Sequence, residues 1–301
     1  MILSVSTTPE LFRTSTLAAP ISWSETNQLD DVAVVPAGGG TNVATALFCA
    51  GKDTKVLLPA PEVSHYVRAL SLNGVPYELI DVPGPIPVRY LIDSPDSRQL
   101  QFVDPPMALK TSELAMLRDL CISQAENADW VVLSGVLPDV AHAAWYVDVM
   151  RALRLYHPGV RIAVSTSGAA LGAVLRQVFT TKPDLLVMSA AEFDNEASFA
   201  TAVRTLQDAE VPQILVCHDR QHFDYHSAGS TVSGSYEAAA GKQWLPWIDF
   251  ALTGLLLSEN ETDPGNALIS ALAWANAEIG DPLRAVPTPD ALRPDLVTIV
   301  G

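Results

Sequence analysis

A cluster of three glycines is the part of the chain best suited to a close approach to a ligand. Gly38, Gly39 and Gly40 follow a β-branched run and lead directly into Thr41 and Asn42, at the start of a predicted helix. Glycine lets the backbone come close to a bound molecule, and free N–H groups at a helix start favour an anion or a hydroxyl-rich ligand. The amide of Asn42 could hold a hydroxyl group. The alternative is an ordinary loop in which the glycines only satisfy turn geometry.

A histidine-rich stretch, CHDRQHFDYH, is the second group with chemical potential. His218, His222 and His226 are four residues apart, and on a helix they would share a face that could bind a transition metal. The stretch follows a predicted strand and precedes SAGSTVSG, which disfavours a helix. We therefore expect a solvated hairpin, with a metal site as the alternative.

The composition excludes several classes of function. The 301 residues include 18 Lys and Arg against 34 Asp and Glu, so the net charge is −16. Such a charge repels phosphate backbones and anionic lipids, and we expect neither nucleic acid nor a membrane as a partner. No apolar run reaches the roughly 20 residues of a membrane helix. Three distant cysteines and a start without signal-peptide features indicate a cytoplasmic protein.

Buried strands and helices alternate along most of the chain, which predicts a parallel sheet covered on both faces. The predicted strands are Ile2–Val5, Lys55–Leu58, Val131–Ser134, Arg161–Ser165, Leu185–Met188 and Ile214–Cys217. The predicted helices are Thr41–Ala50, Val63–Leu72, Ser112–Ala125, Val140–Tyr156, Ala169–Val178, Ala197–Asp208, Asp249–Leu257 and Gly265–Ile279.

Two further stretches, Leu17–Val35 and Ile86–Val103, have strand-like patterns without helices between their strands. We interpret them as a small antiparallel sheet that forms a lid, built from about 12–35 and 86–105. No linker separates this lid from the rest, so residues 1–301 are expected to form a single domain. An unpaired edge of such a lid favours association, and we expect a homodimer through it.

Several motifs occur in an order that resembles the ribokinase-like (PfkB) carbohydrate kinases. GGGTNVATALFCAG resembles their sugar-binding segment, and MILSVSTTPELFRT resembles the opening of the 1-phosphofructokinase and tagatose-6-phosphate kinase branch. PVRYLID, ADWVVLSGVLPDV, VSTSGAAL, KPDLLVMSAAEF and WIDFALTGLLL resemble later segments, in the family's order. The resemblance spans nearly the whole chain. It implies a ribokinase-like three-layer α/β/α sandwich with a mostly parallel sheet and a small β-sheet lid.

The activity that this resemblance implies is transfer of the γ-phosphoryl group of ATP, with Mg²⁺, to a hydroxyl of a sugar or sugar phosphate. Asp249 stands at the position of the family's catalytic base, and Gly254 matches a glycine of the same helix. The alternative for Asp249 is a helix N-cap, a position where aspartate is favoured.

On the substrate side, the resemblance assigns the three glycines, Asn42, the lid-strand Arg89 and Phe12. Phe12 replaces the family's substrate-binding aspartate, and Gly39 replaces the lysine of the sugar-phosphate branch. Arg89 could pair with a phosphate or carboxylate, or it could be an exposed lid-strand arginine.

The positions assigned to the nucleotide side are Ser189, Glu192, Cys217, Trp247 and Gly254. Glu192 could orient Mg²⁺ indirectly through water, or it could be an exposed glutamate favoured by a helix start. Pro246, Trp247 and Ile248 replace the family's Gly-Ala-Gly, and proline has no N–H to donate. Loss of one anion-hole donor typically lowers the rate about 100- to 1,000-fold. We therefore expect a weak kinase. The alternative is a catalytically silent protein of the same fold that binds a sugar-like metabolite or a protein partner.

Overall fold

The computed structural model describes residues 1–96, 98–227, 229–237, 246–279 and 285–300, so Ser97 of the predicted lid lies outside the described residues. The strands are β1 (Ile2–Ser6), β2 (Glu10–Leu17), β3 (Leu29–Ala37), β4 (Thr54–Ala60), β5 (Tyr77–Asp81), β6 (Val88–Asp93), β7 (Gln99–Val103), β8 (Trp130–Ser134), β9 (Arg161–Ser165), β10 (Leu185–Ser189), β11 (Gln213–Cys217), β12 (His222–Ser227), β13 (Ser230–Tyr236) and β14 (Val297–Val300). The α-helices are α1 (Gly39–Cys49), α2 (His65–Asn73), α3 (Thr111–Gln124), α4 (Trp145–Tyr156), α5 (Gly168–Gln177), α6 (Glu196–Asp208), α7 (Trp247–Leu257) and α8 (Pro264–Asn276).

A ten-stranded sheet forms the centre of the molecule, in the order β14-β13-β12-β11-β10-β9-β8-β1-β4-β5. The strands from β11 to β5 are parallel, whereas β12, β13 and β14 add antiparallel pairs at one edge. Ser6 is paired with Ser134, and Ser134 with Ser165, so the carboxyl ends of three strands lie side by side. The predicted mostly parallel sheet is confirmed.

Helices cover both faces of this sheet because its central strands are apolar on both sides. One face carries α1, α7 and α8, and its core includes Leu47, Leu252 and Leu272. The other face carries α2 to α6, with Tyr66 and Tyr146 among its buried side chains. The result is the expected three-layer α/β/α arrangement.

A separate four-stranded sheet has the order β3-β2-β6-β7. Phe12, Val35, Ala37, Leu91 and Ala285 form its small apolar core. The expectation of an antiparallel sheet is confirmed for the outer pairs, β2 with β3 and β6 with β7, and is wrong for the central pair, because β2 and β6 are parallel. After β3 the chain forms α1, β4, α2 and β5. It then enters β6, which runs in the same direction as β2.

The histidine-rich stretch forms the expected hairpin, β12 paired with β13. His218 contacts Asp224 at 2.7 Å and His222 contacts Asp219 at 2.9 Å, so each of these imidazole rings already has an acidic partner. Within the described ranges, no group of three or more His, Cys, Asp or Glu side chains is arranged to hold a metal ion. Within the same ranges, no helix has the length and apolar character needed to cross a membrane.

Candidate active site

A cleft of about 260 Å³ opens where parallel strands of the large sheet end. In open parallel sheets, this edge is where ligands bind. The residues that line this strand-end cleft are Gly135, Val136, Ser165, Thr166, Ser167, Val187, Met188, Ser189, Glu192, Pro246, Trp247, Ile248 and Asp249. They come from the ends of β8, β9 and β10 and from the start of α7, which brings hydroxyl groups and one buried carboxylate together.

The buried carboxylate is that of Asp249, and both of its oxygens accept hydrogen bonds. The Asn42 amide donates to Oδ2 at 2.9 Å, and the Ser134 hydroxyl donates to Oδ1 at 2.8 Å. Asp249 is 8% exposed. The two donors come from α1 and from the end of β8, so three elements fix the orientation of this carboxylate.

The pKa of Asp249 is raised to about 6. Burial is the largest cause, because the charged form loses water. The hydrogen bonds from Asn42 and Ser134 oppose it by lowering the pKa, while the negative charge of Glu10 raises the pKa further. A carboxylate in this range is mostly ionised at neutral pH and still basic enough to accept a proton.

The N-cap interpretation of Asp249 is wrong. Helix α7 has Pro246 at its N-cap, and Asp249 is the third helical residue. Its backbone N–H donates to the Pro246 carbonyl at 2.9 Å, and its side chain points to Asn42 and Ser134 instead of capping the helix. The carboxylate therefore faces Asn42 and Ser134 rather than the helix end.

The three glycines are explained by close backbone packing. A Cβ on Gly39 would lie 2.6 Å from the backbone of Gly135, and a Cβ on Gly40 would overlap the carbonyl oxygen of Val5. Gly38 has a φ of 123°, which side-chain-bearing residues rarely adopt. The cluster thus lies directly behind Gly135, a lining residue, and places Asn42 against Asp249. A direct role of the glycines in substrate binding stays a prediction.

Arg89 and Phe12 lie together on the small sheet. The Arg89 Nε donates to Glu10 Oε2 at 3.1 Å, and its guanidinium carbon lies 5.9 Å from the centre of the Phe12 ring. Phe12 itself is buried in the core of the small sheet. Arg89 is only one-third exposed and is paired with a carboxylate, so it is not simply a solvated arginine.

The residues predicted for the nucleotide side fall into two groups. Ser189, Glu192 and Trp247 line the strand-end cleft. Glu192 accepts a hydrogen bond from the Gly168 N–H at the start of α5, at 2.9 Å, and the Trp247 ring stacks on Phe223 with centroids 5.9 Å apart.

Cys217 and Gly254 lie elsewhere. Cys217 is fully buried in the core, where burial raises the pKa of its thiol. A Cβ on Gly254 would lie 2.6 Å from the carbonyl oxygen of Ser270, so this glycine permits close packing of α7 on α8. Neither position brings a side chain into the strand-end cleft.

The sequence analysis did not single out Ser134 and Glu10. Ser134 is the last residue of a buried strand that ends in a glycine turn, and a polar residue at that place is a signal that could have been used. Glu10 is two residues from Phe12 on β2, and alternation along a strand places both side chains on the same face.

No family model matches the chain. Over 163 residues it is 31% identical to a 1-phosphofructokinase from Rhodobacter capsulatus, covering 52% of this chain and 50% of that protein. Over 160 residues it is 28% identical to the ATP-dependent 6-phosphofructokinase isozyme 2 of Escherichia coli (strain K12), covering 52% of this chain and 51% of that one. The chain thus aligns with about half the length of these curated relatives.

The similarity of fold is more extensive. The crystal structure of phosphofructokinase-2 from Escherichia coli in complex with fructose-6-phosphate aligns with a TM-score of 0.81 at 18% identity, covering 96% of each chain. A Thermotoga maritima structure described as a possible 1-phosphofructokinase aligns with a TM-score of 0.84 at 14% identity, covering 100% of this chain and 99% of that one. The fold is therefore ribokinase-like. The resemblance to the ribokinase-like (PfkB) carbohydrate kinases is confirmed.

Proposed function

We propose that this protein is an ATP-dependent kinase that transfers the γ-phosphoryl group to a hydroxyl of a sugar or sugar phosphate. The observation that carries this proposal is the Asp249 carboxylate, buried at the wall of the strand-end cleft and held by two hydrogen bonds. Both curated relatives are named as phosphofructokinases, which supports the same class of reaction.

Asp249 acts as the general base in this proposal. Each carboxylate oxygen accepts one hydrogen bond from the protein, so further lone pairs remain for a substrate hydroxyl. With a pKa of about 6, the carboxylate is predominantly ionised at pH 7. Asn42 and Ser134 hold it in place, which limits the motion that proton transfer would otherwise require.

The cleft also has features that fit a magnesium nucleotide. The N-termini of α5 and α7 both lie at this cleft, and helix N-termini favour phosphate groups. Ser165, Thr166 and Ser189 add side-chain hydroxyls. When bound, Mg²⁺ supplies neutralisation of the phosphate charge. Glu192 is the lining carboxylate that would hold the hydrated ion. One of its oxygens accepts the Gly168 N–H, which leaves the other oxygen for a water of that ion.

A catalytically silent protein that binds a sugar-like metabolite or a protein partner is the second candidate, and the start of α7 favours it. Pro246 occupies the N-cap and has no N–H, so the helix start has one donor fewer for an anion. Trp247 adds a bulky ring at the same wall of the cleft. Because phosphoryl transfer depends mainly on positioning and charge stabilisation, both changes are expected to slow it.

We also propose that two copies of this chain pair through the small sheet. Its edge strands are β3 and β7, and each exposes apolar side chains. Val32 and Val34 are exposed on β3, and Phe102 and Val103 are exposed on β7. An apolar edge with unpaired backbone groups favours association with a second copy.

Thermal unfolding with ligands separates the two candidate functions. A ligand present at 100 times its dissociation constant adds about 2.7 kcal/mol of stability. We expect stabilisation by Mg-ATP and by a member of a panel of sugars and sugar phosphates, together with slow ADP formation that requires that sugar. Stabilisation by a sugar without any effect of Mg-ATP and without ADP formation would support the silent protein instead.

A further inference from the structure

A second cleft, of about 180 Å³, lies between the large sheet and the small sheet. The residues that line this small-sheet cleft are Thr7, Thr8, Pro9, Glu10, Pro87, Arg89, Val103, Asp104, Pro106, Met107, Leu109, Val136 and Pro138. Val136 also lines the strand-end cleft, so the two clefts adjoin. The charge of Glu10 acts on Asp249, which places this cleft within electrostatic reach of the proposed base.

The charges that line the small-sheet cleft oppose an anionic ligand. Arg89 contributes one positive charge, whereas Glu10 and Asp104 contribute two negative charges, so the net charge of the lining is −1. The chain as a whole carries −16. A phosphate ester brings about −1.5 to −2 at pH 7 and would add to this negative charge.

The Nε of Arg89 is paired with Glu10. Their contact is 3.1 Å, and the side chains are 33% and 21% exposed. Burial raises the pKa of Glu10 while the guanidinium lowers it, so the ionised state of Glu10 depends on Arg89. A phosphate that displaced Glu10 from Arg89 would leave a largely buried carboxylate without its partner, which is costly. A phosphate that bound the other N–H groups of Arg89 would lie beside the negative charge of Glu10.

The same lining suits hydroxyl groups. Ionised Glu10 accepts hydrogen bonds only, and the contact with Arg89 leaves most of its lone pairs for a ligand. The Thr8 hydroxyl donates to the Val136 carbonyl at 3.3 Å, which leaves its oxygen as an acceptor. A ligand that matches these acceptors presents several O–H donors and no phosphate.

We propose that the small-sheet cleft binds an unphosphorylated, hydroxyl-rich acceptor such as a free sugar, and that Glu10 determines this specificity by accepting its hydroxyls and by neutralising Arg89. This inference rests on the proposed function for the reaction that follows binding. It narrows the substrate class from sugars and sugar phosphates to free sugars.

The decisive experiment uses inorganic phosphate and a panel of free sugars with their monophosphate esters. Affinities are measured by calorimetry and thermal unfolding for the wild type, Glu10→Gln, and the double variant Glu10→Gln/Arg89→Gln. We expect Glu10→Gln to bind phosphate at least tenfold more tightly than the wild type, because Arg89 is released. The double variant should lose that gain. The panel sugar that stabilises the wild type should bind Glu10→Gln about tenfold more weakly.

Glu78→Gln is the matched control, since Glu78 pairs with Lys55 at 3.3 Å on the far edge of the large sheet. It should change neither phosphate nor sugar binding. The proposal is overturned if Glu10→Gln gains no affinity for phosphate, or if a phosphate ester binds the wild type tenfold more tightly than its free sugar.

Measurement of ADP formation separates this inference from the proposed function. If free sugars bind through Glu10 but no ADP forms, the kinase proposal fails and the specificity stands. If sugar phosphates are turned over and free sugars are not, the kinase proposal stands and the specificity assigned to Glu10 is wrong.

Discussion

The side-chain amide of Asn42 donates a 2.9 Å hydrogen bond to Asp249 although 207 positions separate the two residues. The contact joins the helix after the glycine cluster to the helix that carries the proposed base. Ser134 binds the other carboxylate oxygen from the end of a central strand. The geometry of the base thus depends on packing between the large sheet and two helices, and not on any local motif.

Ser134→Ala should shift the pH dependence of phosphoryl transfer. The hydroxyl of Ser134 lowers the pKa of Asp249, so its loss raises that pKa. The base must be ionised, so the acidic limb of the rate profile should move to higher pH. Initial rates between pH 5 and 8 check this, and the loss of rate should be larger at pH 6 than at pH 8.

Ser4→Ala is the control for this variant. Ser4 is a fully buried serine on the neighbouring strand β1, and its hydroxyl has no hydrogen-bond partner within the described ranges. Its replacement should leave the pH profile unchanged. Identical profiles for Ser134→Ala and the wild type would show that Ser134 does not tune the base.

Gly254→Ala should destabilise the protein. A Cβ there would meet the Ser270 carbonyl oxygen at 2.6 Å, and backbone cannot move aside as a side chain can. Overpacking of this kind costs about 1–3 kcal/mol. Urea unfolding measures this loss of stability.

Gly172→Ala on α5 is the matched helical control for Gly254→Ala. The nearest atom to its added Cβ is the end of the flexible Arg176 side chain, at 3.2 Å. Alanine in a helix interior is favoured over glycine by about 0.5–1 kcal/mol, so this variant should keep or raise the stability. Equal unfolding midpoints for the two variants would contradict the packing role of Gly254.

Phe102→Glu should reduce association of two copies. Phe102 is exposed on the edge strand β7, and a charge there opposes pairing of the small sheets. Light scattering during size-exclusion chromatography is expected to give the mass of a dimer for the wild type and of a monomer for the variant. Val63→Glu, at an exposed loop position, should remain dimeric. A monomeric wild type over a range of concentrations would exclude the pairing.

Six strands of the large sheet were predictable because each contains a short apolar run. Leu185–Met188 and Arg161–Ser165 agree with the observed strands within one residue. The helix predicted over Val140–Tyr156 instead begins at Trp145, because residues 138–145 form hydrogen-bonded turns. Apolar periodicity alone did not distinguish these turns from the first turn of the helix.

The site was only partly predictable from the sequence. Position along the chain and family resemblance indicated Asp249 and Arg89, but the partners of both residues are set by tertiary contacts. The bond from Ser134 to Asp249 and the pair of Arg89 with Glu10 join distant segments, and no local pattern encodes them. The close packing of Gly254 against α8 is likewise a tertiary contact that no local pattern encodes.

Asp249→Asn should change both the activity and the pH dependence of stability. Removal of a general base typically lowers the rate about 100- to 10,000-fold, while sugar binding should change only a few-fold. The folded-state pKa of about 6 lies above the ordinary 3.8, so the folded protein holds an extra proton between these pH values. The stability from this group is therefore present below about pH 4 and lost as the pH rises through 6.

Asparagine has no such proton, so the variant should gain stability relative to the wild type between pH 4 and pH 7. The rise of this pKa from 3.8 to about 6 corresponds to a gain on the order of 3 kcal/mol. Urea unfolding of both proteins at pH 4 and pH 7 measures this gain in stability. Calorimetry with the sugar that stabilises the wild type tests whether the variant still binds it. A constant difference in stability would mean that Asp249 does not titrate as its burial predicts. Undiminished ADP formation by the variant would remove Asp249 from the chemistry.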